Sequence, residues 1–156
     1  MAATVNIQHV VTVSNDIPTT LGAGSAGGTI NGSLQMLPPT MDAIYSETLA
    51  LSGGALVIDL AALVRGGQSN LNLTGERVFG FCIKNLGANN MTFTDTATTG
   101  YAMFSATGGT VVHPNGIASN HSPVGFGIVG ASDKDITVAG TAAQTFQIIL
   151  YGGPPA

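Results

Sequence analysis

A glycine-rich stretch near the start of this sequence matches a cofactor-binding pattern. Gly22–Gly27 reads Gly-Ala-Gly-Ser-Ala-Gly, which fits the G-x-G-x-x-G pattern of dinucleotide-binding loops. That chemistry needs a strand directly before the glycines and a helix directly after them, so that the pyrophosphate meets a helix N-terminus. Here Asp16 and Pro18 interrupt the preceding strand, and Gly27-Gly28-Thr-Ile-Asn-Gly cannot start a helix. We therefore interpret this stretch as a flexible loop and expect no cofactor.

Metal chemistry would have to come from the three histidines, His9, His113 and His121. Zinc requires three or four convergent ligands, usually with short local spacing. His113 and His121 flank a Pro-Asn-Gly turn, neither has a cysteine or carboxylate beside it, and His9 lies on a predicted strand. We expect no metal site.

Acid–base chemistry has two sets of candidates. Asp133-Lys134-Asp135 lacks the glycine and the closing glutamate of a calcium loop. Its alternation places the two aspartates on one side and Lys134 on the other, as in a solvated turn that opens a strand. Glu47 and Asp59 lie on separate predicted strands among apolar residues. Either is a candidate for a buried, hydrogen-bonded carboxylate, and the sequence leaves open which.

Nucleophilic chemistry has little support. No Gly-x-Ser-x-Gly elbow is present. Cys82 is the single cysteine, so it has no partner for an internal disulfide. It lies in an alternating strand pattern without the electropositive surroundings that lower a thiol pKa, so we expect a buried, inert thiol. The sequence thus predicts no catalytic, cofactor-binding or metal-binding residues, and a protein that is not an enzyme.

The charge content is unusually low. Charged residues make up 8% of the chain, against about 25% in an ordinary soluble domain. The net charge is −4, and the four basic residues are scattered, which disfavours nucleic-acid binding. An uncharged polar surface is weakly protected against association, because charge is what usually keeps β-proteins apart. This favours faces covered by copies of the chain or by a larger assembly; a low-charge monomer is the alternative.

Neither a secretory signal nor a membrane span is expected. Met1–Gln8 has no basic region and no apolar core of a signal peptide. The longest apolar run, Leu49–Val64, contains Ser52, two glycines and Asp59, so it is too interrupted to cross a bilayer.

The elements that would position these residues are short strands. Period-two alternation, broken by Gly, Pro or Asn, predicts where they lie. Ala55–Val64 fits a short helix about as well, although its length and β-rich context favour a strand ending near Leu60. The predicted strands are Val5–Val13, Thr29–Met36, Ala43–Leu51, Ala55–Leu60, Asn70–Thr74 (short), Arg77–Lys84, Met91–Asp95, Tyr101–Ala106, Thr110–His113, Val124–Val129, Asp135–Ala139 and Thr145–Tyr151.

This spacing is typical of an all-β sandwich or barrel. We expect a single jelly-roll-like β-sandwich of about 8–10 strands. It would form one domain over residues 1–156, in which 1–30 is either an arm or a strand followed by the flexible Gly-rich loop. Asp133–Tyr151 reads as two strands joined by a tight turn, with the apolar second strand at the centre of a sheet. Gly152–Ala156 would then be a free or inter-subunit tail.

Several turns and strands of the second half resemble one known family. The motifs lie between Val78 and Gly152 and are structural rather than chemical. They are Val78-Phe-Gly-Phe-Cys-Ile-Lys-Asn85, Asn90-Met-Thr-Phe93, Thr99-Gly-Tyr101, His113-Pro-Asn-Gly116, Ala131-Ser-Asp-Lys-Asp-Ile136 and Gly140-Thr-Ala-Ala-Gln-Thr-Phe146. In them the chain resembles the capsid decoration, or cement, proteins of tailed double-stranded-DNA bacteriophages. Members of that family typically have a Pro-Gly turn where this chain has Pro114-Asn115-Gly116, and its N-terminal half is not matched.

The resemblance implies a β-sandwich protein on the outer surface of a phage head, made in the host cytoplasm. Its implied partners are the major capsid protein and further copies of itself, commonly as a homotrimer. The alternative is a glycan- or receptor-binding module of a tail fibre or host-attachment structure. Carbohydrate-binding jelly rolls use exposed aromatic platforms, however, and this chain has no Trp and only three Tyr.

Overall fold

The computed structural model describes residues 6–19, 22–35, 43–66, 69–95, 98–104 and 109–155. Within them the secondary structure is entirely β, which confirms the predicted class. The described strands are β1 (Asn6–Thr19), β2 (Gly22–Gln35), β3 (Ala43–Ala50), β4 (Ala55–Asp59), β5 (Arg77–Asn85), β6 (Met91–Asp95), β7 (Thr110–Val112), β8 (Ile117–His121), β9 (Asp135–Ala139) and β10 (Thr145–Gly153).

The chain divides into two compact units, of which Ala3–Leu37 is the smaller. In it β1 and β2 form an antiparallel hairpin whose register runs without a break from Asn6 opposite Gln35 to Thr19 opposite Gly22. Two expectations were wrong here, since β1 continues through Pro18 and the expected flexible loop at Gly22–Gly27 is part of β2. Each strand of a two-stranded ribbon has one unpaired edge, and an edge position tolerates a proline.

The larger unit contains two four-stranded antiparallel sheets. One has the strand order β3-β10-β5-β8 and the other β4-β9-β6-β7. Alternate residues of both sheets enter one buried cluster, which holds Phe81, Ile148 and Leu150 from the first sheet and Phe93 and Ile136 from the second. The predicted β-sandwich is therefore present.

Aromatic rings join the two sheets at the centre of this cluster. Phe93 of β6 and Phe146 of β10 meet edge to face with ring centroids 5.3 Å apart. Phe104, in the loop after β6, contacts Phe81 of β5 at 4.8 Å. Such pairs contribute about 0.5–1.5 kcal/mol beyond the area that they bury. The aromatic residues therefore fix how the sheets face each other.

Strand β10 lies between β3 and β5 and pairs with both, so its predicted central position is confirmed. It reaches Gly153, so the expected tail from Gly152 was placed too early. The predicted β9–β10 hairpin was wrong, because β9 belongs to the other sheet. The connection between β9 and β10 crosses from one sheet to the other alongside the β3–β4 connection. Two hydrogen bonds join these connections: Gly140 N–H donates to Gly54 O, and Ala143 N–H donates to Leu51 O.

Two predicted strands are not strands in the structure. At residues 101–104, the backbone N–H of Phe104 donates to the Asp95 carboxylate at 3.1 Å instead of joining a ladder. In Val124–Val129, Gly125 adopts a left-handed conformation with φ of 77° and closes a turn onto Ser122. Only an isolated bridge at Ile128 remains there.

Two smaller corrections concern Asn70–Thr74 and β8. The predicted short strand at Asn70–Thr74 is reduced to an isolated bridge between Leu71 and Leu63. Strand β8, in contrast, was not predicted. Its sequence is Ile-Ala-Ser-Asn-His, and it packs against the core only through Ala118.

Buried polar groups tie the loops to the sheets. Tyr101 donates to Gly127 O at 2.5 Å and accepts from Val78 N–H at 3.1 Å. Burial raises the pKa of Tyr101 to about 12, so its hydroxyl keeps the proton that it donates. Asn85, fully buried, donates to Val112 O and accepts from the Gln144 amide. These bonds satisfy groups whose desolvation would otherwise be costly.

Gly80 tests how tightly β5 and β10 are packed. A Cβ at this position would overlap the Tyr151 hydroxyl and lie 2.8 Å from the carbonyl oxygen of Asn120. We expect Gly80→Ala to lower the free energy of unfolding by about 1–3 kcal/mol, the range for overpacking. Gly130→Ala is the matched control, because a Cβ there meets no atom within 4 Å. Urea unfolding of both variants measures the difference, and equal stability would contradict the packing.

Candidate functional site

A groove of about 310 Å³ opens between two edge strands, β3 of one sheet and β4 of the other. Its wall and floor include Leu49, Leu56 and Leu63. Val57 and Val64 lie along it with 54% and 66% of their surface exposed. The groove therefore presents apolar side chains to solvent beside two sheet edges.

Glu47 and Asp59, the two carboxylates singled out in the sequence, both line this groove. Both are hydrogen-bonded, but each is only half-buried, so a fully buried carboxylate is found at neither position. Glu47 Oε1 accepts from Gly66 N–H at 2.8 Å. Asp59 Oδ1 accepts from Ala61 N–H at 2.8 Å, and its Oδ2 accepts from Lys134 Nζ at 2.6 Å.

The ion pair decides the charge of Asp59. Burial alone would raise the pKa of the Asp59 carboxyl, but the hydrogen bonds from Lys134 and Ala61 N–H, together with the Lys134 charge, hold it below its usual value. A general acid at neutral pH needs a raised pKa. Asp59 therefore lacks that property, and its arrangement fits a structural ion pair that fastens β4 to the start of β9.

The Asp133-Lys134-Asp135 run is spread over separate interactions. Lys134 turns to Asp59, Asp135 accepts from Thr99 Oγ1 at 2.5 Å, and Asp133 is exposed beside Ser132. Strand β9 begins at Asp135, as the turn interpretation predicted. Within the described ranges no three His, Cys, Asp or Glu side chains gather in a metal-binding arrangement.

The histidines lie apart on different elements. His113 Nδ1 contacts Asn90 Oδ1 at 3.0 Å at the end of β7. His121 lies on β8 against the Tyr151 ring, with centroids 6.3 Å apart. His9 lies in β1 opposite Gly32. Cys82 was expected to be buried and is half-buried on the outer side of β5; burial raises its thiol pKa, which disfavours the reactive thiolate.

The aromatic side chains are largely buried. The three tyrosines of the chain, Tyr45, Tyr101 and Tyr151, are 2%, 0% and 4% exposed. Five of the six phenylalanines are buried, and the sixth, Phe126, is half-buried. Without Trp, the chain has no exposed aromatic side chain on which a sugar ring would stack.

The outer face of the β3-β10-β5-β8 sheet is almost uncharged. The register of these strands places small, polar and aliphatic residues in rows across it. Lys84 is the one charged residue among the outward-facing positions, which are Ile44, Ser46, Thr48, Gln147, Ile149, Tyr151, Gly80, Cys82, Lys84, Ile117, Ser119 and His121. Ile44, Ile117 and Ile149 are each more than two-fifths exposed. Such a face loses little hydration of charges when it is covered.

The groove was not foreseen from the sequence, because it depends on which strands lie at the sheet edges. Val57 follows the inward-outward alternation of β4, so its exposure was predictable but its place in a groove was not. Val64 lies at the end of Ala55–Val64, the segment whose pattern fitted a helix about as well as a strand, so its side-chain direction was not predicted. Leu56 and Ile58 of β4 line the groove together with Leu49 of β3, and sequence periodicity does not report which two strands come together in this way.

Comparisons with protein families, curated proteins and solved structures find no match to this chain. No helix in the described part of the chain is long and apolar enough to cross a membrane.

The Asp59–Lys134 pair predicts a pH-dependent effect on stability. We expect Asp59→Asn to lower the free energy of unfolding by less than about 1 kcal/mol at pH 7, since the pair is solvent-screened. The folded pKa is lowered, so the carboxylate contribution is present above the unfolded pKa of about 3.9 and is lost as pH falls through the folded value. The unfolding free energies of wild type and variant should therefore become equal below pH 4.

Urea unfolding at a series of pH values measures this convergence. Asp133→Asn is the control, because Asp133 is exposed and its carboxylate bonds only to the neighbouring Ser132 hydroxyl. A stability gap for Asp59→Asn that persists at acid pH would contradict the ion-pair account.

Proposed function

We propose that the larger unit is a jelly roll that serves as a structural subunit of a virus particle, a capsid decoration protein. Its eight strands pair as a nested series of β3 with β10, β4 with β9, β5 with β8 and β6 with β7. This series is a long ribbon folded over itself, the arrangement that a double Greek-key sandwich requires.

The crossings between the sheets support the jelly roll further. Leu51, between β3 and β4, bonds through its N–H to Gln144 O, between β9 and β10. In the same way, the N–H of Gly75, in the β4–β5 connection, donates to the carbonyl oxygen of Val129, in the β8–β9 connection. Paired connections thus pass together from one sheet to the other, as in a rolled ribbon.

The nearly uncharged outer face of the β3-β10-β5-β8 sheet is the observation that carries the decoration role. Lys84 on this face, and Glu47 where it lines the depression beside Ser46 and Gln147, are the charges whose hydration would be affected if the face were covered, and removing charges from water is the main cost of burying a polar surface. A repeated subunit seated on a shell has its faces covered in this way. The resemblance of Val78–Gly152 to decoration proteins points to the same role, with the major capsid protein as partner and the outer head surface as location.

Enzymatic and glycan-binding roles have weaker support from the site. The groove carboxylate Asp59 is held ionised by Lys134, and the described residues that line the groove include no histidine. The buried tyrosines leave no aromatic platform for a sugar. Binding of the isolated chain on a glycan array would favour the attachment module of a tail fibre instead.

Head particles assembled with and without this chain test the proposal. We expect particles that carry it to resist higher temperature and stronger chelation, because the subunit adds contacts between neighbouring capsid proteins. Thermal DNA release measured by dye fluorescence gives the comparison. Purified chain added back to deficient particles should bind in a saturable ratio and restore the resistance. Equal resistance of both particle types would overturn the proposal.

The isolated chain should form a trimer. Light scattering is expected to give three times the 15.6 kDa mass of one chain, because the resemblance to decoration proteins implies a homotrimer and a closed symmetric assembly covers the same faces on every copy. A monomer that binds sugars would support the attachment module instead.

A further inference from the structure

Strand β3 is an edge strand with a depression on each of its two faces. Among the described strands it pairs only with β10, so its other edge is open. The apolar groove lies on the core-facing side of β3, beside Tyr45, Glu47 and Leu49. A second depression, of about 390 Å³, lies on the outer side. Its lining residues are mostly polar: Ser46, Glu47, Thr48, Gln147 and Ile149. An open edge flanked by side-chain pockets is the arrangement that binds an added β-strand.

The two depressions favour an alternating sequence in such a strand. Side chains that lie opposite each other on neighbouring strands point to the same face of the sheet. Residues opposite Tyr45 and Leu49 would therefore enter the groove, where Val57 of β4 supplies further apolar surface. Residues opposite Ser46 and Thr48 would lie over the polar depression. An added strand should thus alternate apolar residues with small polar ones.

Glu47 determines the charge that suits the middle of the added strand. Its carboxylate accepts from Gly66 N–H at 2.8 Å, and the described ion pairs include none to Glu47, although all four Lys and Arg of the chain are described. Opposite charges across two strands attract, and like charges directly opposite each other repel. A Lys or Arg opposite Glu47 would lay its aliphatic stem along the apolar groove and keep its charged end at the carboxylate.

The same charge disfavours a second copy of this chain as the source of the strand. The described strands with an open edge are β1, β2, β3, β4, β7 and β8, and none of them contains a Lys or Arg. Two β3 strands paired about a two-fold axis at their centre would place their Glu47 carboxylates directly or diagonally opposite each other. A complementary strand therefore comes from another protein.

We propose that the β3 edge binds an extended segment of a different protein, with a Lys or Arg opposite Glu47 and apolar residues two positions to either side. Main-chain hydrogen bonds to β3 supply the affinity, and the groove and the Glu47 carboxylate supply the sequence preference. This binding edge is distinct from the outer sheet face on which the decoration role was argued.

Synthetic peptides added to the isolated chain test this preference. One fluorescent peptide reads Ser-Val-Thr-Lys-Thr-Val-Ser, and a second has Glu in place of Lys. Fluorescence anisotropy should show the Lys peptide binding about threefold more tightly or better, since an opposite-charge pair replaces a like-charge pair. Glu47→Gln keeps a hydrogen-bond acceptor for Gly66 N–H and should abolish the difference. Asp133→Asn, which removes an exposed charge outside the groove, is the matched control and should preserve it.

Amide hydrogen exchange locates the bound peptide. The β3 amides that do not bond to β10 should exchange slowly once the Lys peptide is bound, because an added strand pairs with them. Val57→Ala should weaken binding of the peptide, since Val57 lines the groove. Val124→Ala, at a residue 71% exposed and outside the groove, should leave the affinity unchanged.

Three results would overturn the proposal. The first is no binding of the Lys peptide, or equal binding of both peptides. The second is slow exchange of these β3 amides without peptide at every protein concentration, which would show that this chain covers its own edge. The third is exchange that slows as the protein concentration rises, which would show that a second copy covers it. These tests use the isolated protein, so their failure is separate from failure of the decoration role on a shell.

Discussion

The sandwich depends on the central position of β10, the last of the described strands. Both edges of β10 are paired, with β3 on one side and β5 on the other, and its inward residues lie in the core beside Phe93. The first sheet is therefore incomplete until β10 has met two strands that lie much earlier in the sequence. Such non-local pairing has to overcome loop-closure entropy before its contacts give stability.

Local alternation was enough to predict the strands that bury a full row of side chains. β5, β6 and β9 were found within a residue of their observed bounds. Alternation reports which face a residue occupies but not which strand lies beside it, and for that reason the β9–β10 hairpin was wrong. β8 was missed because Ala118 is its only contribution to the core. The strand expected from Tyr101 failed because the Asp95 carboxylate takes the backbone N–H groups of Met103 and Phe104.

The candidate site, too, was predictable only in part from the sequence. That Glu47 and Asp59 would be hydrogen-bonded carboxylates followed from their apolar neighbours, since a carboxylate in such surroundings requires partners. The identity of the partners depended on the fold. Lys134 reaches Asp59 only because β4 and β9 are paired, and both carboxylates share one groove only because β3 and β4 are edges of facing sheets.

The two edge strands β3 and β4 bear on the proposal that this low-charge chain assembles. β-proteins that stay apart commonly place lysine, proline or a bulge on their edge strands. β3 reads Ala-Ile-Tyr-Ser-Glu-Thr-Leu-Ala and β4 reads Ala-Leu-Val-Ile-Asp, so neither contains a lysine or a proline, and each is in unbroken register with its one partner among the described strands. An edge strand that lacks these protections offers unpaired backbone groups to another chain. This physical property, together with the exposed Val57 and Val64 beside the two edges, supports the proposal of an assembled subunit.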